Sequence, residues 1–453
     1  MLFDPARHTR LDAPAWSERR ARDGIASIVA DISRQFDPDT LWPTHPRERE
    51  PGAADAPAPM LYNGAAGVVW ALQHLRDQGL ARVDLDLAAI ANTLPSHSLR
   101  WIEANESEPA SYFLGHSGVL LLQWKYGRSA AVADALFTLV QGNLHNKALE
   151  ALWGSPGTLV AALHMLEATG EARWHELFRR GVDLLWHQMT PVRHSAQPDR
   201  EVWIWVQDLY GNVRHYLGAG HGFAGNVFPV VRGAKWLDAD TVSAFEARAL
   251  ATLEVAALRE PGLVQWEPHF DPAVSGHPRK SLMQDCHGAP GIVCRLAATR
   301  SAGLQALLRE AGELVWAAGP LVKRPALCHG TDGNGYAFLK LHAMIGDEHW
   351  LARARAFAMH ALRQSDALAL EYGRRVPSLW SGDLGLAVYL SSCLRGRSPA
   401  ADARRVLDLN SFASFAFLCV LSGRNLFCLG TVNTSVTANA KERKEREEVL
   451  ECK

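Results

Sequence analysis

The sequence predicts an all-α protein, folded as a closed α/α toroid (barrel) of seven helical hairpins with Gly-x-x-Gly turns. Two observations support this prediction: the frame Gly-x-x-Gly recurs seven times, and an apolar run follows each copy. The first copy begins at Gly64 and the last at Gly382, so the mean repeat is about 53 residues long. A repeat of that length accommodates two helices of ordinary length and their loops. Strand patterns are almost absent.

The seven turns are each expected to open a buried helix. Their glycines permit positive φ and close approach of the backbone. The apolar runs that follow them are hydrophobic nearly all round, which is typical of an inner helix rather than a surface helix. The turns begin at Gly64, Gly115, Gly154, Gly222, Gly288, Gly330 and Gly382.

Amphipathic stretches of helix length lie between the turns and are predicted to form the outer helices. Residues 171–189 and 240–258 are examples. Seven such hairpins either stack as an open solenoid or close into a ring. Unequal spacings, from 39 residues between Gly115 and Gly154 to 68 between Gly154 and Gly222, favour the ring, as do polar loops that face inward.

The domain organisation follows from where the repeat stops. We expect one domain over residues 1–409, with its repeat core at about 60–395, and an atypical carboxy-terminal tail over 410–453. Two inserts interrupt the core. Residues 43–59 are rich in proline and charge and are predicted to form a loop. Residues 266–280 carry three prolines and two histidines, and are placed to overhang whatever the ring encloses.

Composition and charge exclude several classes of function. The chain has 453 residues, 48% hydrophobic and 21% charged, with a formal net charge of −1. The apolar fraction argues against disorder. The near-zero net charge argues against a nucleic-acid or polybasic membrane surface. No signal peptide and no integral membrane segment are expected, because long uncharged apolar runs are lacking. Seven cysteines, none within the first 285 residues, are not a secreted disulfide framework, so we expect a reduced, cytoplasmic protein.

Three of the turns carry reactive side chains. Cys286 and Cys328 each precede a turn as Cys-His-Gly, and His221 lies directly before Gly222. If these turns share one end of the ring, Cys286, Cys328 and His329 converge. Two thiolates and one imidazole suit Zn²⁺, and three protein ligands leave the open position of a catalytic zinc site. Cys328 and His329 are adjacent, so they share one metal only where the backbone is not helical.

A purely structural interpretation stands beside each of these candidates. A buried cysteine is usually a small, inert hydrophobe, although the duplicated Cys-His-Gly frame favours a ligand. His287 either lines the site or hydrogen-bonds a carbonyl. His221 is a suitable proton donor or acceptor near neutral pH.

These motifs resemble the lanthionine synthetase C-like family over roughly residues 60–395. The resemblance lies in Tyr-Leu-Gly-Ala-Gly-His-Gly-Phe-Ala-Gly at 216–225, Cys-His-Gly-Ala-Pro-Gly at 286–291 and Leu-Cys-His-Gly at 327–330. It implies a seven-hairpin toroid with a central zinc. By position it implies that Cys286, Cys328 and His329 bind the zinc and that His221 is the acid/base residue.

The resemblance also implies a reaction, the addition of a thiol to dehydroalanine or dehydrobutyrine. Zinc would hold the thiol as thiolate at neutral pH, and the thiolate would attack the β-carbon. His221 would protonate the α-carbon of the resulting enolate, which leaves a thioether. The thiol is a cysteine of the same peptide in the cyclases, or glutathione in stand-alone relatives that modify dehydroamino acids in damaged proteins. Details of the motifs favour the second group.

Three further residues are candidates for substrate binding: Lys323, His287 and Glu150. Lys323 matches a basic residue that contacts glutathione in those relatives, with an ordinary surface lysine as the alternative. Glu150 falls near an aspartate position of the cyclases. One departure is Asp285, since the family usually has tryptophan immediately before the first zinc cysteine. A carboxylate there is either a partner in the surroundings of the zinc or a group that weakens the thiolate.

Two other functions remain as alternatives. The first is a catalytically weak scaffold that binds zinc or glutathione and recruits partners, for which Asp285 is the main argument. The second is a glycoside hydrolase, because some α/α toroids cleave sugars with two opposed carboxylates. Asp285, Asp332 and Asp383 lie on the turns, but a zinc triad would serve no purpose in that chemistry.

Overall fold

Helices dominate the computed structural model, which describes residues 1–12, 14–48, 58–105, 107–271 and 281–396. The predicted helical class is confirmed. The α-helices within these ranges are α1 (Glu18–Arg34), α2 (Ala65–Asp77), α3 (Leu87–Ala104), α4 (His116–Gly127), α5 (Ala130–Gly142), α6 (Ser155–Thr169), α7 (Ala172–His187), α8 (Phe223–Arg232), α9 (Ala239–Ala256), α10 (Ala289–Leu296), α11 (Ala302–Ala318), α12 (Thr331–Ile345), α13 (Glu348–Tyr372) and α14 (Asp383–Arg395). Short 3₁₀ turns occur at Pro5–Arg7, Pro46–Glu48, Asn143–His145 and Ala234–Trp236.

Inner and outer helices alternate along the chain. The even-numbered helices begin directly after the glycine turns and are buried on nearly every side; in α6 every residue from Ser155 to Leu166 is buried. The odd-numbered helices bury one stripe only, as α7 does with Trp174, Leu177 and Leu185. The amphipathic stretches predicted at 171–189 and 240–258 correspond to α7 and α9.

The contacts between inner helices form a cycle among the described elements. Each even-numbered helix contacts the next one, and α14 contacts α2. Every inner helix also packs against its own outer helix, and the partner of α14 is α1, from the beginning of the chain. The amino-terminal helix therefore completes the seventh hairpin.

Both glycines of the predicted turns have structural roles. The first glycine is the N-cap of its inner helix in all seven turns. A Cβ atom on the second glycine would lie within 2.5 Å of the carbonyl oxygen six residues earlier, and only 1.6 Å from that of Asp285 in the case of Gly291. The expected positive φ occurs only at Gly222 and Gly288. The other first glycines are extended, so close backbone approach rather than φ selects glycine there.

Backbone hydrogen bonds link neighbouring turns to one another. They join residues that lie two or three positions before the first glycine in six of the turns, and the hydroxyl of Ser111 donates to the carbonyl of Leu152 in the remaining turn, so the turns occupy one end of the helix cycle. The bonds are Tyr62 N to Phe113 O (3.1 Å), Trp380 N to Tyr62 O (3.2 Å), Cys328 N to Trp380 O (3.1 Å), Asp285 N to Cys328 O (3.1 Å) and Ala219 N to Cys286 O (3.0 Å).

Three small antiparallel hairpins correct the expectation of almost no strands. They pair β1 (Thr190–His194) with β2 (Gln197–Ile204), β3 (Gln207–Leu209) with β4 (Asn212–Arg214), and β5 (Leu258–Glu260) with β6 (Leu263–Gln265). The first two account for the long 68-residue spacing. In β2, Val202 and Ile204 are buried and Trp203 between them is less so, which is the two-residue alternation of a half-buried strand.

The two inserts and the tail are only partly described. Residues 49–57, 272–280 and 397–453 lie outside the described ranges, so the tail predicted at 410–453 stays a prediction. The first part of the 266–280 insert packs inward, since Trp266 and Phe270 are buried. None of the described helices is long and apolar enough to cross a bilayer.

Candidate active site

The two Cys-His-Gly turns lie side by side. The amide of Asp285 donates to the carbonyl of Cys328 at 3.1 Å, which brings the turn before α10 against the turn before α12. Both cysteine side chains are buried, with exposures of 5% for Cys286 and 0% for Cys328. The convergence predicted from the repeat is therefore present at the level of the backbone.

The side chains of Cys328 and His329 contact each other, whereas adjacent residues of a helix would point about 100° apart. Cys328 Sγ lies 2.6 Å from His329 Nδ1, in the irregular turn that precedes α12. The other ring nitrogen, Nε2, lies 3.4 Å from the guanidinium of Arg324. The backbone here is not helical, which is the condition under which the adjacent Cys328 and His329 can share one metal.

Burial disfavours the charged forms of Cys286 and His329. It raises the pKa of the Cys286 thiol to about 12, against a lowering effect of a hydrogen bond from Gln284 Nε2 (2.8 Å). Burial, Lys323 and Arg324 lower the pKa of His329 well below its usual range. A metal binds the neutral form of an imidazole. A thiol whose pKa is raised by burial ionises at neutral pH only when a cation lies beside it.

The donor set fits zinc in its chemistry. The described residues include no three Cys, His, Asp or Glu side chains that are already arranged around a metal position. Cys286 and His329 offer a sulfur and a nitrogen in adjoining buried turns, and Cys328, which stands in a disulfide here, would supply a second sulfur once it is reduced. These are the ligand types that zinc prefers.

His221 is held by the carboxylate of Glu150. Its Nδ1 donates to Glu150 Oε2 at 2.9 Å, and both side chains are buried. Glu150 itself accepts from the backbone amides of Leu152 (3.1 Å) and Trp153. Nε2 of His221 is buried and has no hydrogen-bond partner within the described part of the chain. Glu150 thus lies beside the acid/base candidate, where it orients the imidazole ring.

Rings of other residues lie against one side of His221. The ring of His287 lies 6.2 Å from that of His221, and Tyr216 lies 5.9 Å from His221 and 5.1 Å from His287. His269, from the insert, stacks on Tyr216 at 4.5 Å. His287 therefore lines the site, as one of its two interpretations predicted. Neither Tyr216 nor His269 was predicted from the sequence as a site residue. The available signal for His269 was the pair of histidines in the insert at 266–280.

Lys323 belongs to a cationic side of the site. Burial and the neighbouring Arg324 lower the pKa of its ammonium group to about 8. Its carbonyl accepts from Arg47 at 2.7 Å. Arg7, from the amino-terminal segment, donates to Gln284 at 3.1 Å and adds a further charge. Arg7, Arg47 and Arg324 were not selected from the sequence, because contacts between distant segments place them here.

The carboxylate of Asp285 is paired on the helix that follows its turn, although its charge also raises the pKa of the neighbouring Cys286 thiol. It forms an ion pair with Arg295 of α10, whose guanidinium lies 2.9 Å from the carboxylate. Both side chains are fully or almost fully buried. Burial raises the pKa of Asp285 to about 7, against the lowering effect of Arg295. The substitution of the usual tryptophan is thus accommodated by a partner ten residues later.

The other turn carboxylates argue against the glycoside hydrolase alternative. Asp332 is completely buried, and Asp383 is 3% exposed. Asp383 accepts from the hydroxyl of Ser365 and from the amide of Val376 at 2.7 Å. Asp285 is thus ion-paired and Asp383 hydrogen-bonded, whereas both carboxylate oxygens of Asp332 are buried without a hydrogen-bond partner among the described residues. Burial of all three is the observation that argues against two opposed catalytic carboxylates.

Comparison with known proteins gives one family and several relatives. The family model described as Lanthionine synthetase C-like protein matches residues 57–403. Glutathione S-transferase LANCL1 of Danio rerio is 31% identical over 188 residues, which are 40% of this chain and 43% of that protein. LanC-like protein GCL1 of Arabidopsis thaliana is 40% identical over 104 residues, 22% of this chain and 23% of the relative. The chain thus aligns with less than half the length of either relative.

A solved structure supports the fold. Nisin cyclase superposes with a TM-score of 0.56 at 13% identity, over 88% of this chain and 99% of the cyclase. At this identity the likeness concerns the fold alone. The family match covers most of the chain, including all seven glycine turns. The chain belongs to the lanthionine synthetase C-like family.

Proposed function

We propose that this protein is a zinc-dependent enzyme on a closed α/α toroid, which adds a thiol to dehydroalanine or dehydrobutyrine residues to form a thioether. The observation that carries the proposal is the hydrogen bond of His221 to Glu150 in the same turn layer as the two cysteine turns. Family membership and the named activity of LANCL1 support it, and nisin cyclase supports the fold.

Cys286, Cys328 and His329 would hold the zinc. When bound, the metal supplies the positive charge that keeps a substrate thiol ionised at neutral pH. The chain's own contribution is burial of the donor atoms and a rigid backbone, since Asp285 N and Cys328 O tie the two turns together.

His221 would move the proton in the reaction. The sulfur adds to the β-carbon of the dehydroamino acid, and the electron pair of the double bond moves onto the α-carbon and its carbonyl. Because Glu150 occupies Nδ1, the free nitrogen Nε2 of His221 would take up the proton that the thiol releases and then deliver it to the α-carbon. The sum is the addition of S–H across one C=C bond, so no other reactant is required.

The thiol is glutathione or a peptide cysteine. The cationic side of Lys323, Arg324 and Arg7 favours glutathione, which carries two carboxylates. The relative named a glutathione S-transferase supports the same choice. A peptide cysteine would make the protein a cyclase, as the likeness to nisin cyclase allows at the level of the fold.

The experiment begins with the zinc content of the purified full chain. We expect about one zinc per chain in the wild type and little in Cys286→Ala or Cys328→Ala. Cys294→Ala is the matched control, because Cys294 is equally buried but lies inside α10. Folded wild type without zinc would contradict the ligand set.

Turnover is then measured with glutathione and a dehydroalanine peptide by mass spectrometry. We expect the peptide to gain the mass of glutathione, and His221→Ala to keep its zinc while losing turnover. Full zinc content without turnover on either thiol would favour the alternative, a zinc- or glutathione-binding scaffold.

A further inference from the structure

The tip of the β3–β4 hairpin exposes two large apolar residues. Tyr210 is 49% exposed, and Val213 across the tip is 55% exposed. The positive φ of Tyr210 (56°) and of Gly211 (92°) is that of a two-residue hairpin loop, since Leu209 pairs with Asn212. The exposed apolar pair is therefore what distinguishes the tip.

The contacts that hold the hairpin connect it to the active site. The ring of Tyr210 meets Trp153 edge to face at 5.8 Å, and Trp153 is the residue whose amide binds Glu150. Asp208 anchors the strand, since its amide donates to the carbonyl of Lys147 at 3.0 Å. The chain leaves β4 and reaches His221 seven residues later. The tip therefore lies over the turn that orients the acid/base residue.

The hairpin is mixed in charge, whereas the cysteine turns have a cationic side. Burial, Glu108 and Glu150 raise the pKa of the Tyr210 hydroxyl, and Arg214 donates to the carbonyl of Val213 at 3.0 Å. The cations Lys323 and Arg324 lie before the sixth turn, whereas Tyr210 lies at the third. In a cycle of seven turns, three steps is the largest separation available.

We propose that Tyr210, Trp153 and Val213 form the surface that binds the dehydroamino-acid peptide, on the side of the site opposite to the binding site of the thiol. The inference rests on the proposed function and adds the position of its second substrate. Apolar contact comes from the exposed Tyr210 and Val213, while Trp153, which is 8% exposed, supports the ring of Tyr210. An anionic thiol is directed to the opposite side by Lys323 and Arg324.

The test uses the full chain and a dehydroalanine peptide labelled at its far end. Binding is measured by fluorescence anisotropy in the wild type and in Tyr210→Asn, a change that removes the ring but tolerates left-handed backbone. We expect peptide affinity to fall at least about tenfold, while the KM for glutathione changes less than about twofold.

The matched control is Arg128→Asn. Arg128 also has a left-handed backbone, with a φ of 49°, but it caps the carboxy-terminal end of α4, away from the turns. It should leave peptide affinity unchanged. Equal peptide affinity in Tyr210→Asn and wild type, or no peptide binding by wild type at millimolar concentration, would overturn the inference.

The two hypotheses fail separately. Peptide binding that depends on Tyr210, in a protein without turnover, would support this surface and contradict the proposed reaction. Turnover that is insensitive to Tyr210→Asn at subsaturating peptide would support the reaction and contradict the surface.

Discussion

Glu150 and His221, 71 residues apart in sequence, are joined by a hydrogen bond of 2.9 Å from Nδ1 to Oε2. The carboxylate is fixed by the amides of Leu152 and Trp153 in its own turn, so it defines both the position and the tautomer of the imidazole. A ring nitrogen held in this way leaves the other one to exchange protons.

Glu150→Gln should therefore reduce turnover without removing zinc. A carboxamide has only one acceptor oxygen for the three donors that the carboxylate serves, so the imidazole loses its fixed orientation. We expect kcat to fall about 10- to 100-fold, with unchanged zinc content and thermal stability within a few degrees. Steady-state kinetics across pH 6–9 measures the effect. Wild-type kcat in this variant would show that Glu150 does not position His221.

Gly291→Ala should disrupt the first cysteine turn. A Cβ atom there would lie 1.6 Å from the carbonyl oxygen of Asp285, so the backbone beside Cys286 must shift. We expect a loss of about 1–3 kcal/mol in the free energy of unfolding, and reduced zinc content. In the control Gly142→Ala, at the end of α5, nothing lies within 4 Å, and a gain of about 0.4–1 kcal/mol is expected. Urea unfolding distinguishes the two; equal stability would contradict the close-approach argument.

The ion pair of Asp285 with Arg295 should be needed as a unit. Arg295→Met leaves a carboxylate buried without its cation, which costs about 3–5 kcal/mol in unfolding free energy. The double variant Asp285→Leu/Arg295→Met removes both charges and should recover most of that loss. Chemical denaturation of the single and double variants measures the coupling. Additive losses would mean that the two residues act independently.

Stability should decrease on acidification below pH 6.5. Burial lowers the pKa of His164 to about 3, and burial with Arg374 lowers that of His45 to about 4. The unfolded chain then binds more protons than the folded one between about pH 6.5 and 4, so each histidine contributes at most about 1.4 kcal/mol of lost stability per pH unit. Urea unfolding at pH 7.5 and 5.5 measures the slope. His164→Gln should flatten it, and an unchanged slope would exclude His164 as a source.

Much of the framework could be predicted because its cause is local. Each inner helix starts at a turn whose second glycine leaves room for a carbonyl six residues earlier, so the constraint is visible as a repeated pair of glycines. The long-range contacts are not visible in this way. The pairing of α1 with α14, the approach of Arg7 to the site and the bond between Glu150 and His221 depend on how distant segments meet.

The hairpins and the role of Asp285 show a different limit of prediction from the sequence. The β1–β4 segment is a connection within a helical repeat, and its alternation of buried and less buried residues covers only the end of β2, which is too short to stand out in the sequence. The position of Asp285 next to Cys286 suggests a role at the zinc site, whereas its carboxylate pairs with Arg295 on the next helix. Sequence adjacency does not specify which way a buried side chain points.

The cycle of helix contacts also bears on how the protein unfolds. A linear repeat array has two outermost units, each with one unprotected side, and it can fray from either end. Here α14 contacts α2 and packs against α1, so every inner helix has two inner neighbours. Because no hairpin is outermost, loss of any one exposes two interfaces at once. We expect a single cooperative unfolding transition for the repeat core, in which all seven hairpins are lost together.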